Sequence, residues 1–145
     1  MAAPIIIRGR PPRSTAVTLL HSHGLPSSDI TDEHLEHFFL IGSDTSPMGM
    51  VGVEMYGIEA LLRSLVVAET ARTQGIGSAL VQHAEEYASS RRVGAMYLLT
   101  TTAENFFKRL GYERIDRSRA PPAIGTTREF ASLCPASSAF MIKRL

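Results

Sequence analysis

The sequence predicts a mixed α/β fold, a central sheet of about seven strands flanked by helices. Three observations predict it. Apolar or β-branched runs of strand length recur from Ile5 to Lys143. Between two of them, Gly77 to Arg91 carries Ala79, Leu80, Ala84, Tyr87 and Ala88 at helical spacing, with polar residues opposite. Finally, the apolar run Leu61 to Val67, broken only by Arg63 and Ser64, passes through a short polar loop with two glycines straight into that helix.

Taken in order, Ile5-Ile6-Ile7 predicts a first strand, and Pro11-Pro12 suits a helix start because proline is tolerated in the first turn. Ala16, Val17, Leu19 and Leu20 give that helix an apolar face, which ends at Gly24. Ser27 to Glu36 is polar and reads as loop or short helix. His37 to Ile41 and Met48 to Tyr56 predict strands joined by the turn Gly42 to Pro47, and Gly57 breaks the run before a strand over Ala60 to Val67. Three consecutive strands with short connections imply an antiparallel meander. After the long helix, Ala95 to Thr100 predicts a strand. Thr101-Thr102-Ala103-Glu104 has the form of a capping box opening a short helix with Phe106, Phe107 and Leu110, stopped at Gly111. Tyr112 to Asp116 and Ala139 to Lys143 predict the last two strands, separated by the long proline-containing segment Arg117 to Ser138.

The 145 residues suit one domain, taken here as 1–145, with room for a true core. A hydrophobic content of 44%, a charged content of 20% and a net charge of +1 exclude the strongly basic balance of a nucleic-acid binder. No run of about 18 apolar residues offers a membrane span, and Met1 to Ile7 lacks the form of a signal peptide. A lone cysteine, Cys134, excludes an internal disulfide framework and suits a reducing, cytoplasmic setting.

The loop at Arg72-Thr73-Gln74-Gly75-Ile76-Gly77 points to a ligand. Its glycines permit a tight turn and leave N–H groups uncovered at the positive end of the next helix, a ready site for a phosphate. A dinucleotide fingerprint fails, because Leu80 stands where a third glycine is needed and the loop begins several residues past its strand. A P-loop fails because no Gly-Lys-Ser/Thr triplet occurs. The pattern Arg72-x-x-Gly75-x-Gly77 instead resembles the pyrophosphate loop of the GNAT acetyltransferase superfamily. Ala103-x-x-Phe106-Phe107-x-x-x-Gly111-Tyr112 resembles that family's second signature, and the order of strands and helices extends the likeness to nearly the whole chain. Three stretches are similar to the arsenic-resistance-associated branch of the family: Ala60-Leu-Leu-Arg-Ser-Leu, Tyr97-Leu-Leu-Thr-Thr-Thr and Thr127-Arg-Glu-Phe-Ala-Ser-Leu-Cys-Pro-Ala-Ser.

The resemblance implies acetyl-CoA as co-substrate, no metal, and a small-molecule amine as acceptor, with a homodimer as an open alternative. It implies that the pyrophosphate sits on Arg72, Thr73, Gln74, Gly75, Ile76, Gly77 and Ser78, and that the pantetheine arm pairs with Leu65, Val66 and Val67. Thr100 and Phe107 fall beside the cofactor, Thr100 where the family often has asparagine and Phe107 where it often has a tyrosine general acid. Phenylalanine cannot donate a proton, so another group or solvent must protonate the departing thiolate. Glu54 and Glu59 are the candidate general bases, with Tyr56 and Arg63 as candidate acceptor contacts, Arg63 for a carboxylate or oxyanion. Glu54 and Arg63 could equally form a cross-strand ion pair. His21, His23, His34 and His37 lack the convergent spacing of a zinc site. Cys134 reads as buried filler or as a pocket residue, and Arg117 to Ser138 as a segment closing over a small acceptor. Two alternatives stay open: a non-catalytic acetyl-CoA-binding module, which Phe107 favours, and a protein or peptide N-acetyltransferase.

Overall fold

The structure, a computed structural model, describes residues 6–71 and 75–145. Seven strands form one mixed sheet in the order β1-β2-β3-β4-β5-β7-β6. These are β1 (Ile7–Gly9), β2 (Phe38–Gly42), β3 (Pro47–Tyr56), β4 (Glu59–Val67), β5 (Ala95–Thr100), β6 (Glu113–Arg114) and β7 (Ala139–Arg144). Five helical segments accompany them: α1 (Arg13–Ser22), α2 (Asp32–Leu35), α3 (Ile76–Ser90), α4 (Glu104–Arg109) and α5 (Pro122–Gly125). The mixed seven-stranded architecture expected from the sequence is therefore present. By packing, the chain divides into two compact units, residues up to Val53 with Ser64–Ala84, and Glu54–Arg63 with Glu85–Leu145.

In the first unit β1 and β2 pair antiparallel with Ile7 opposite Ile41, and β2 and β3 pair antiparallel with Phe38 opposite Gly52. The first strand lies later than expected, because the edge of β2 takes Ile7, Arg8 and Gly9 as partners; Ile5 falls outside the described residues. Gly52 is forced by Phe38, whose ring would clash with any Cβ at that position. Gly49 has a different task. A Cβ there would lie 2.9 Å from Ile76 Cγ2, 3.0 Å from Leu80 Cδ1 and 3.0 Å from the Val66 carbonyl oxygen. The missing side chain lets the first turn of α3 rest directly on the sheet. The core of this unit gathers Ala16, Leu19 and Leu20 of α1 with Ile30, Leu35, Phe38, Leu40, Met50 and Val66.

In the second unit β4 and β5 run parallel over Glu59–Leu62 against Ala95–Leu98. β5 and β7 pair antiparallel along their full length, from Ala95 opposite Arg144 to Thr100 opposite Ala139. The core here is aromatic, with Tyr97 stacked on Phe140 and Phe130 set edge-on to the same ring. β6 is shorter than the expected strand over Tyr112 to Asp116, since Tyr112 turns its ring into the interior and donates its hydroxyl to Glu85 Oε2 at 2.9 Å. The expected capping box does not form. Ala103 is the N-cap of α4 and its N–H is held by Thr100 Oγ1 at 3.0 Å, while Glu104 pairs with Lys108 and Arg114. Arg117 to Ser138 is not a plain loop: it contains a 3-10 turn over Arg117–Arg119, the helix α5, and a π-turn over Glu129–Leu133.

Candidate active site

Two sets of residues stand out, one in each unit. In the first, β4 ends at Val67 and leads through a 3-10 turn, Glu69–Ala71, toward Gly75. Arg72, Thr73 and Gln74 lie outside the described residues. Gly75 is exposed and adopts φ +72°, a left-handed conformation that costs a β-carbon about 1–2 kcal/mol, and the space around it is open. The first helical hydrogen bond of α3 runs from the Ala79 N–H to the Gly75 carbonyl at 3.1 Å. The N–H groups of Ile76, Gly77 and Ser78 therefore precede the helical ladder and lie at its positive end. Buried Ile76 pins this turn from beneath, against Gly49, while Ser78 is exposed. The turn places these N–H donors at the start of a 15-residue helix.

The same unit holds the last residues of β4. Leu65 and Val67 are half-buried on one side, and Val66 is buried in the core on the other. Just before them, Ser64 has φ +60°, which is rare for a non-glycine residue in the middle of a strand and marks a local departure from regular pleating. The ladder to β5 ends at Leu62, although β4 continues for five more residues.

In the second unit the candidate acceptor residues form a buried charge network. The Arg63 side chain is fully buried, and its Nη1 donates to Glu54 Oε2 at 2.8 Å. Its Nη2 lies 3.0 Å from Glu129 Oε1. The Tyr56 hydroxyl makes a short hydrogen bond to the other Glu54 oxygen. The Cys134 thiol donates to Glu129 Oε2 at 3.1 Å. Two neighbouring strands supply Glu54, Tyr56 and Arg63, and the π-turn inserts Glu129. Burial, followed by the Glu129 charge and hydrogen bond, pushes the Cys134 thiol up to about 12, so at neutral pH it is a protonated thiol rather than a nucleophile.

The structure thus brings Glu54, Tyr56 and Arg63 together and leaves Glu59 apart. Glu59 is the first residue of β4, opposite Ala95, four residues and about 13 Å along the strand from Arg63. Both terminal nitrogens of Arg63 hold carboxylates, so the Glu54–Arg63 cross-strand ion pair left open by the sequence is present. Phe107 is buried and edge-on to Phe106 and Tyr112, whose hydroxyl burial and the Glu85 carboxylate keep protonated. Thr100 serves as the capping acceptor at the end of β5. Sequence reasoning missed Glu129. The signal was its place in the Thr127 to Ser137 stretch, an acidic residue spaced five before Cys134 among small and apolar neighbours.

The histidines have local duties. His23 Nδ1 lies 3.0 Å from the Leu19 carbonyl, and His34 caps α2 together with Thr31. Among the described residues no group of three or more His, Cys, Asp or Glu is placed to hold a metal, and no helix is long and apolar enough to cross a membrane.

This site and this sheet lie in a chain whose class is shown by its family match. Residues 34–114, more than half of the chain, match the acetyltransferase (GNAT) domain family. The chain belongs to the GNAT acetyltransferase family. A protein of Chlorobaculum tepidum described as an uncharacterized N-acetyltransferase is 36% identical over 93 residues, 63% of this chain and 59% of its own length. N-acetylglutamate synthase from Neisseria gonorrhoeae, solved with coenzyme A and N-acetyl-glutamate, shares the fold with a TM-score of 0.81 at 17% identity. That match covers 100% of this chain but 36% of the synthase. A Mycobacterium tuberculosis protein solved in complex with CoA has a TM-score of 0.77 at 17% identity, over 97% of this chain and 99% of its own. At such identities the structural likeness speaks for the fold.

Proposed function

We propose that this chain is an acetyl-CoA-dependent N-acetyltransferase acting on a small amine by direct transfer. The observation that carries the reading is the open Gly75 turn leading into the α3 N-terminus, within a chain of the GNAT family. The described residues fit the co-substrate, since N–H groups from Ile76 to Ser78 suit a pyrophosphate; Arg72, Thr73 and Gln74, expected from the sequence to share it, lie outside the described residues. The backbone of Leu65, Val66 and Val67, beyond the end of the β5 ladder, suits an extended amide-bearing arm such as pantetheine. When bound, acetyl-CoA supplies a thioester whose carbonyl carbon accepts the amine and whose C–S bond breaks to release CoA.

The chain's own part is positioning and proton handling. Glu54, whose two oxygens are positioned by Tyr56 and Arg63, is the favoured base of the two carboxylates. Arg63 orients Glu54 rather than the acceptor. Phe107 supplies no proton, so the thiolate takes one from solvent or from the acceptor amine as it is acylated. The small and apolar residues of the Arg117–Ser138 segment, with Ile124 buried and Phe130 edge-on to Phe140, favour a compact acceptor over an extended peptide. Two of the three stretches similar to the arsenic-resistance-associated branch carry Arg63, Glu129 and Cys134, and the narrower assignment rests on that similarity of sequence. A lone, protonated cysteine suits a cytoplasmic setting.

The test is thiol release from acetyl-CoA by the purified protein against a panel of amines, amino acids and peptides. Turnover with small amines is expected. Turnover confined to peptides would move the assignment to a protein acetyltransferase, and CoA binding without turnover would make the chain a binding module.

A further inference from the structure

Resting on that reading, we infer that Glu129 sets acceptor specificity: it occupies the guanidinium of Arg63 as a built-in carboxylate and so excludes acceptors that carry one. An arginine beside a candidate base is a natural receptor for a substrate carboxylate, because its planar fork offers paired donors. Here both terminal nitrogens already hold carboxylates. Glu54 takes Nη1 at 2.8 Å and Glu129 takes Nη2 at 3.0 Å, and the Arg63 side chain has no exposed surface. Glu129 itself is 6% exposed and comes from the π-turn in the segment before β7, not from the strands that carry its partners. The Cys134 thiol takes its second oxygen, which fixes the carboxylate's rotation.

An acidic acceptor approaching Arg63 would meet two carboxylates already in place. Discrimination by a repulsive, pre-satisfied group of this kind is a general device, and like-charge juxtaposition in a desolvated site is heavily penalised. An amine lacking a carboxylate meets no such conflict, and its ammonium group is favoured beside the two acids. The acceptor class is therefore a small amine without an adjacent carboxylate.

Matched pairs of an amino acid and its decarboxylated amine, such as tyrosine with tyramine and arginine with agmatine, test this in two ways. The first is kcat/KM by thiol release, and the second is direct binding by calorimetry in the presence of CoA. Wild type is expected to favour the amine by about tenfold or more in both. Glu129→Ala, which empties Nη2, is expected to narrow that ratio by about tenfold, mainly through a lower KM for the amino acid. Glu129→Gln, which preserves shape and removes charge, should narrow it part of the way, and Glu129→Asp should restore it. Thermal melts establish that each variant is folded, and the wild-type ratio stands as a test even where Glu129→Ala does not fold. Wild type that binds the amino acid as well as the amine overturns the inference, as does a ratio unmoved in both neutral variants. Absence of binding by every amine tested also overturns it. Binding with the expected preference but no acetyl transfer would leave the specificity assignment standing and refute the catalytic reading instead.

Discussion

Replacing Arg63 by methionine isolates what the buried network contributes. Methionine retains most of the stem volume, so the change removes charge more than packing. Glu54 and Glu129, with side chains 5% and 7% exposed, would then be left without the guanidinium between them. Orphaning one partner of a buried ion pair costs about 3–5 kcal/mol, compared with about 0–1 kcal/mol for an exposed pair. A domain of this size holds about 5–15 kcal/mol in total, so the loss is a large fraction of its stability. The expected fall in Tm is about 6–20 °C. Urea unfolding followed by circular dichroism gives the free energy directly, provided the m-value is unchanged. Adding Glu54→Gln and Glu129→Gln to Arg63→Met should recover most of the loss, because neutral amides no longer need a cation. A loss below about 1 kcal/mol for Arg63→Met would refute the description of these residues as a buried, mutually dependent network.

Gly49→Val should displace the first turn of α3, since its β-carbon meets Ile76, Leu80 and the Val66 carbonyl at 3.0 Å or less; calorimetry should show CoA affinity falling about tenfold or more. Cys134, held protonated, should react with iodoacetamide at pH 8 more slowly than a free cysteine, and Glu129→Gln should speed it only in part, because burial is the larger cause. The folded thiol pKa of about 12 lies above the ordinary 9.0, so the thiol's contribution to stability is intact below pH 9 and declines as pH rises toward 12, which unfolding curves across that range would show. Phe107→Tyr should change turnover at neutral pH by less than about tenfold; a larger rise would mean that protonation of the departing thiolate limits the rate.

Most of the sheet was legible in the sequence because β2, β3, β4, β5 and β7 each carry an apolar run, and Ala95 to Thr100 forms as read. The loop into α3 was legible because glycine at a left-handed position and an immediate amphipathic helix are local properties. Pairings made through tertiary packing were not. Nothing in the local pattern of Glu129 says that it turns inward, since a π-turn in a segment of prolines and small residues has no period to read. The Glu54–Arg63 ion pair was visible as one of two options on adjacent strands, but the third member that fills Arg63 lies 66 residues further along the chain. At Thr101 to Glu104 a capping sequence was present, yet Thr100 at the strand end captures the Ala103 N–H first and Glu104 is taken by two cations.

Calorimetric titration of acetyl-CoA tests whether the Gly75 turn and the α3 N-terminus hold the co-substrate's pyrophosphate. Wild type and a Gly75→Val/Gly77→Val double variant would be compared, each first shown to be folded by its melting curve. Valine at a φ of +72° cannot hold the turn without strain, and its methyl groups would cover the N–H groups that face the ligand. Saturable binding by wild type and a loss of at least about a hundredfold in the folded variant are expected. Equal affinity in the two proteins would contradict that placement of the pyrophosphate.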